Sequence, residues 1–210
     1  MARPLKSEAK DIAGDAVQAC IALLEREPVA SVTMARIAAA VGCTAPALYS
    51  HFRNKEALLR AVHDDGFRRL FEAKRAAATR GDDAFDRLRR GGLAYMRFAL
   101  DHPALYTLMF SPPAALEDRG NPFEEDLGRR ALDLLTASVK ACQAAGYLPG
   151  AKPESVAFTL WSLVHGAATL ILQGRTPVPG QDRDALAQSA VETAMAFVAA
   201  THPGGRPPGL

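Results

Sequence analysis

With 210 residues, 49% of them hydrophobic and 23% charged, the chain is long enough to bury a sizeable core, as one compact unit or two intimately packed ones. A net charge of +2 and a pI near 8.5 permit a nucleic-acid partner through a local basic patch without demanding one. Cys20, Cys43 and Cys142 are odd in number, scattered and without Cys-x-x-Cys or Cys/His pairing, which excludes a disulfide framework and a zinc site.

Alanine is abundant and β-branched residues are sparse, which favours helix almost everywhere. Residues 1–6 read as a loose arm whose Arg3 and Lys6 are either solvated or reach a DNA backbone or minor groove. Ser7 is the expected N-cap of a first helix running to about Glu25, with Ile12, Ala16, Val17, Cys20, Leu23 and Leu24 as its buried stripe. Glu27-Pro28 ends it. From Thr33 to Phe52, TMARIAAAVGCTAPALYSHF, the pattern predicts two short helices around a tight turn. Met34, Ile37, Ala38 and Val41 give the first an apolar face. Gly42 is free to take a left-handed backbone, and Thr44 offers an N-cap hydroxyl to orphan N–H groups. Leu48 and Phe52 return apolar surface, and Ala38, Ala39 and Ala47 are small enough for a close crossing. A second helix held this way suits a DNA major groove; the spacing alone also fits an ordinary helical hairpin. Asn54 then caps a fourth helix to about Thr79, apolar along Leu58, Leu59, Val62, Phe67, Leu70 and Phe71, with Arg60, Arg68, Arg69, Lys74 and Arg75 on its wet face.

The run after the turn carries more information than the spacing. Leu48-Tyr49, His51-Phe52 and Asn54-Lys55-Glu56-Ala57-Leu58-Leu59 resemble the signature of tetracycline-repressor-type (TetR family) regulators. There the recognition helix ends in Tyr-x-His-Phe and the next helix opens with a Lys-Glu pair. The match runs without a gap from Thr33 to Leu59. The resemblance implies a helix-turn-helix DNA-binding domain over 1–53, a linking helix at about 54–79, and a regulator of transcription. It places Thr33, Tyr49, His51 and Lys55 where phosphates are commonly held, which suits hydroxyl, imidazole and ammonium donors. For Tyr49 and His51 the alternative is packing within the reader. Base-edge contacts fall to Thr44, Ala45, Pro46 and, at the margin, Ser50. These are small residues that pack on thymine methyls rather than make bidentate contacts. Many family members carry Arg or Lys among these positions and this chain does not, so direct readout per half-site is expected to be modest.

Beyond Gly81-Asp82-Asp83 a fifth helix is predicted from Ala84 to Asp101, with Phe85, Leu88, Tyr95, Met96 and Phe98 apolar and Gly91-Gly92 in its middle. A kink, a close crossing or room for a bound molecule would each explain the glycines. His102-Pro103 opens a short helix that Ser111-Pro112-Pro113 closes, and 114–120 reads as loop. Asn121-Pro122-Phe123-Glu124 is a helix start of capping residue, Pro and Glu; that helix carries Leu127, Ala131, Leu134, Leu135, Val139 and Cys142 to Gly146. An eighth helix spans about Pro153 to Gln173, a break covers 174–180, and a ninth runs from about Asp182 to Ala200 before a flexible tail at 202–210. The expectation is an all-α protein of nine helices, with a second unit over 80–201.

In that unit Trp161-Ser162-Leu163-Val164-His165-Gly166 resembles the Trp-x-x-x-His-Gly motif of one TetR subgroup, as do Phe98-Ala99, His102-Pro103, Leu105-Tyr106 and Met109-Phe110 upstream. The resemblance implies a body for ligand binding and dimerisation. Tyr95, Met96, His102, Tyr106, Met109, Trp161 and His165 are the candidate effector pocket, an apolar space with a few polar groups; each also reads as core, Trp161 more as packing than as wall. Ala157, Leu160, Val164, Ala168 and Ile171 with Ala190, Ala194 and Phe197 are the candidate homodimer interface, pairing two helices with their symmetry mates. A dimer is needed because one reader contacts too few bases to find a site.

The chain is thus expected to bind double-stranded DNA at a palindromic operator, as a repressor released by a small-molecule effector, or as an effector-independent or protein-partnered regulator. No metal and no cofactor are implied. An all-α enzyme using His102, His165 or Cys142 lacks metal-ligand spacing, paired carboxylates and a phosphate loop, and has no need of the 33–55 segment. The most apolar window, Phe158 to Leu172, is broken by Thr159, Ser162, His165 and Gly166 and shorter than the roughly 20 residues of a membrane span, so no membrane is expected. With no uninterrupted apolar segment after Arg3 and Lys6, the expected location is cytoplasmic.

Overall fold

The computed structural model describes residues 11–80, 83–113, 126–176 and 180–204. Among these the chain forms nine α-helices and no strand: α1 Ile12–Leu24, α2 Met34–Val41, α3 Ala45–Tyr49, α4 Lys55–Ala78, α5 Ala84–Asp101, α6 Pro103–Phe110, α7 Asp126–Ala144, α8 Pro153–Leu172 and α9 Arg183–Ala200. The expected arm and Ser7 cap, the Gly81-Asp82 boundary, the loop and Asn121–Glu124 helix start, the middle of the 174–180 break and the end of the tail lie outside the described residues. Local chemistry sets the helix starts. Asp11, Thr33, Thr44, Asn54, Asp83 and Asp182 each accept a first-turn backbone N–H through the side chain. Proline stands at the start of α3, α6 and α8, where its missing N–H costs nothing.

Helices α1 to α3 share one small core. Ala16, Cys20, Val32, Ile37, Leu48, Leu58 and Val62 are completely or almost completely buried there, so α4 is already part of the support. Gly42 closes α2 with φ 71° and ψ 42°. The N–H of Cys43 bonds back to the Ala38 carbonyl at 3.0 Å and that of Gly42 to Ala39 at 3.1 Å, the paired pattern that a left-handed residue makes at a helix end.

Helix α4 runs on from this head and packs against α5, α6 and α7. At its crossing with α6 the sulfur of Met109 lies 2.6 Å from where a Cβ on Gly66 would stand, so the glycine is what admits α6. One residue of α4 departs from expectation. Lys74, placed by sequence on the wet face, is buried, with 8% of its surface exposed and its Nζ donating to the Ala131 carbonyl of α7 at 3.2 Å. The apolar stripe of α4 drifts around the helix, and α7 closes over it. The two glycines of α5 split the alternatives left open: a Cβ on Gly92 would come 3.1 Å from Val191 of α9, a close crossing, whereas one on Gly91 would meet nothing within 4 Å.

Helix α8 packs on α5, α7 and α9, and it is apolar on more than the face it buries. Ala157, Val164, Ala168 and Ile171, with Ala194 of α9, point into the protomer rather than out of it. Leu160 and Ala190 are half-buried, and of the expected interface residues Phe197 alone is exposed. The outward apolar residues are instead Phe158, Leu163, Leu170 and Phe197. A helix with apolar residues all round does not show by periodicity alone which of them turn inward. The helix spans 20 residues, as its expected bounds imply, and its most apolar 18-residue stretch has a mean hydropathy of 1.6 with 22% of it buried, so the shortness of 158–172 does not by itself exclude a span. By length and composition it is sufficient to cross a membrane; here it packs along one side against three helices.

Candidate nucleic-acid interface and interior cavity

The α2–turn–α3 unit presents a narrow polar edge on a rigid base. Leu48 is fully buried, and its neighbour Tyr49 is half exposed. Thr33, Thr44, Pro46, Ser50 and His51 are exposed beside it, while Ala45 and Lys55 are half-buried. The packing alternative for Tyr49 and His51 therefore does not describe their environment. Some of these groups already have partners. The Thr33 hydroxyl accepts from the Arg36 N–H at 3.3 Å and that of Thr44 from Ala47 at 3.3 Å, so both fix helix ends. Ser50 donates to the Ala47 carbonyl at 2.7 Å. The Lys55 ammonium donates to the Val29 carbonyl, tying the start of α4 to the loop after α1. Arg36 is held by Glu27 and by the Ser31 carbonyl. Arg53, exposed between His51 and Asn54, was passed over in the sequence; its signal was a lone cation directly after the Tyr-x-His-Phe run.

Between the body helices lie two adjoining lobes of about 40 and about 20 Å³. Lys74, Tyr95, Leu135 and Trp161 wall both. The larger continues along Gly91 and Gly92 to Leu160, Val164, Val191 and Met195; the smaller reaches Phe67, Leu70 and Phe110. Of the expected pocket residues, Tyr95 and Trp161 are on these walls. Met96 and Met109 are core, and His102 stands apart against Phe98, with ring centroids 5.3 Å apart. Tyr106 and His165 sit just behind the wall and complete a hydrogen-bonded cluster. Tyr95 Oη is 2.9 Å from Tyr106 Oη and 2.9 Å from His165 Nδ1, and Tyr106 Oη is 2.7 Å from the same nitrogen. The Trp161 indole N–H donates to Tyr95 Oη at 3.3 Å.

Burial pushes the Tyr106 phenol up to about 12 and Tyr95 higher still, and it lowers His165, so these groups are neutral together. A neutral imidazole accepting at Nδ1 closes the chain, with the Trp161 N–H donating to Tyr95, the Tyr95 hydroxyl to Tyr106 and the Tyr106 hydroxyl to His165. What sequence missed on the walls is mostly Lys74 and the α9 residues Val191 and Met195, which only tertiary packing brings to α5; room for a bound molecule was one of the readings of Gly91. A separate cleft of about 230 Å³ lies between the end of α1 (Leu24, Glu27, Pro28) and α6 (Ala104, Thr107, Leu108). Beside it the Ala104 N–H donates to Glu25 at 3.4 Å.

Comparison with known proteins agrees with this layout. Residues 17–62 match the model of bacterial regulatory proteins, tetR family, and residues 88–194 that of the tetracyclin repressor-like C-terminal domain. No curated protein matches the chain. Among solved structures, a protein of unknown function from Rhodococcus sp. RHA1 is 26% identical, with a TM-score of 0.76 over 93% of this chain and 100% of its own. A tetR-family bacterial regulatory protein from Rhodococcus RHA1 is 23% identical, TM-score 0.68, over 90% of this chain and 98% of its own. The TetR family transcriptional regulator PfmR from Thermus thermophilus is 18% identical, TM-score 0.64, over 88% and 97%; these last two show a shared fold.

Proposed function

The chain belongs to the tetR family of DNA-binding transcriptional regulators and is not an enzyme, and from that premise we propose that it is a homodimeric repressor released when a small molecule enters the body cavity. Residues 1–53 read DNA, the helix over 54–79 transmits, and 80–201 bind ligand and dimerise, in the cytoplasm. The observation that carries the DNA contact is the buried Leu48 beside the exposed Tyr49, Ser50 and His51: the edge is held by its own core and turned to solvent. Tyr49, His51, Arg53 and the α2 start at Thr33 position phosphates, and Thr44, Ala45 and Pro46 meet base edges. Lys55 acts through the Val29 loop as much as through a phosphate.

The dimer face is the exposed stripe Phe158, Leu163 and Leu170 of α8 with Phe197 of α9. Four large apolar side chains exposed on two adjacent helices call for a partner. Release works through α6, which carries Tyr106 into the cluster behind the cavity and Ala104 against the end of α1. A ligand that binds one arrangement of Tyr95, Tyr106 and Trp161 better than the other moves α6, and with it the spacing of the two readers.

Selection of binding sites from a random duplex library at near-physiological salt tests this reading. Enrichment of a two-fold palindrome is expected. Weak, sequence-independent binding that vanishes as salt rises would overturn it, because phosphate attraction alone behaves that way.

A further inference from the structure

The cavity contains a feature that an apolar pocket does not need. Among the described residues on the walls of both lobes, Lys74 is the single charged side chain, and no carboxylate faces it from α5, α7, α8 or α9. The remaining polar groups there are the Tyr95 phenol and the Trp161 indole, and they are engaged with each other. Lys74 has three N–H donors, and a neutral carbonyl, that of Ala131, takes one of them. A lysine kept only for packing would be better replaced by methionine or leucine, since a buried cation without a counter-charge opposes folding. We propose that Lys74 is the anion-binding residue of the body cavity and that the effector is a slender apolar carboxylic acid, an inference that rests on the cavity being the effector site.

Its carboxylate takes the two free donors of Lys74, and its hydrocarbon lies along Gly91, Leu160 and Trp161 in the larger lobe. The charge count favours a carboxylate over a phosphate ester: one ammonium balances one negative charge, and a dianion would bring a second into the same apolar space. Burial lowers Lys74 to about 8, which leaves it mostly protonated near neutrality and available to pair. The lobes as they stand hold little more than the head of such a ligand. The chain enters by parting α5 from α8 and α9, on the side where a Cβ on Gly91 would meet nothing within 4 Å.

Trp161 is the single tryptophan of the chain and walls both lobes, so its emission, read at a fixed protein concentration, reports on the cavity. The full-length protein is titrated with octanoate and hydrocinnamate and, in parallel, with octanol and hydrocinnamyl alcohol. The acids are expected to shift Trp161 emission at concentrations about tenfold or more below the alcohols, the fold-change of one charge-assisted hydrogen bond. Lys74→Met abolishes that preference and keeps alcohol binding, Lys74→Arg retains the preference, and Gly91→Leu abolishes binding of both kinds. Should Lys74→Met fail to fold by circular dichroism, the wild-type acid-to-alcohol ratio and Gly91→Leu decide. Equal binding of acids and alcohols, or an acid preference that survives in Lys74→Met, overturns the role of Lys74 while leaving the cavity an effector site. If no probe of either kind moves Trp161 emission, both this inference and the cavity as effector site fall.

Discussion

At Lys74 the fold holds a charge that the unfolded chain would leave in water. Burial lowers its ammonium from 10.5 to about 8. Below the folded value both states are protonated, and the whole penalty, on the order of 3 kcal/mol from a shift of that size, opposes folding. Between the two values the unfolded chain binds the extra proton, so stability rises with pH. Tyr95 on α5 is the other titratable group on these walls, and burial with Tyr106 beside it keeps it neutral throughout. Lys74→Met should therefore stabilise the ligand-free protein by about 1–3 kcal/mol at neutral pH and by clearly less near pH 10. Urea melts at the two pH values measure this, and a gain that does not shrink with pH would show that packing, not charge, is responsible. The glycines of α5 give a second comparison. Gly91→Ala meets nothing within 4 Å and should stabilise by about 1 kcal/mol through helix propensity. Gly92→Ala has the same propensity gain but meets Val191 at 3.1 Å, so its melting temperature should rise less or fall.

At the scale of elements, the reader separates support from contact within one turn of helix. Leu48→Ala removes a side chain with 0% exposure and should cost about 2–5 kcal/mol of stability. Tyr49→Ala, next to it and half exposed, should change stability by no more than about 0.5 kcal/mol while weakening binding to the selected duplex. If Tyr49→Ala unfolded the head as readily as Leu48→Ala, Tyr49 would belong to the core and not to the DNA edge. This division was legible beforehand because its causes are local. Gly42, Thr44, Asn54 and the apolar spacing of α2 act within a few residues of themselves, and the structure puts the turn and the caps where those residues stand. Lys74 and α8 were not legible for the opposite reason. A lysine among arginines on a long helix carries no mark of the α7 residues that bury it, and α8 is apolar all round, so only packing selects the face that turns inward. Gly91 and Gly92 lie between these cases: their unusual position was visible, but the crossing with Val191 that gives Gly92 its reason belongs to a helix far later in the chain.

For the whole molecule, the proposed dimer face on α8 and α9 carries a prediction about whether two readers act together. Phe158, Leu163, Leu170 and Phe197 are between 45% and 65% exposed in the protomer, a set of large apolar groups on two helices that pack side by side. Their covering by a second copy would bury them against identical partners, as a two-fold interface requires. Leu163→Arg together with Phe197→Arg places charges on that stripe without touching the inward residues Val164, Val198 or Ala194. The variant should therefore keep its helical circular dichroism and melt close to the parent, yet sediment as a monomer. Its affinity for a duplex carrying a single half-site should be nearly unchanged, because the head is intact. On the full palindrome it should lose about 10²–10⁴-fold, the advantage that linking two readers confers. A monomer that still bound the palindrome as tightly as the parent would mean that cooperation between readers does not pass through α8 and α9. A variant that remained dimeric would move the interface to another face of the body.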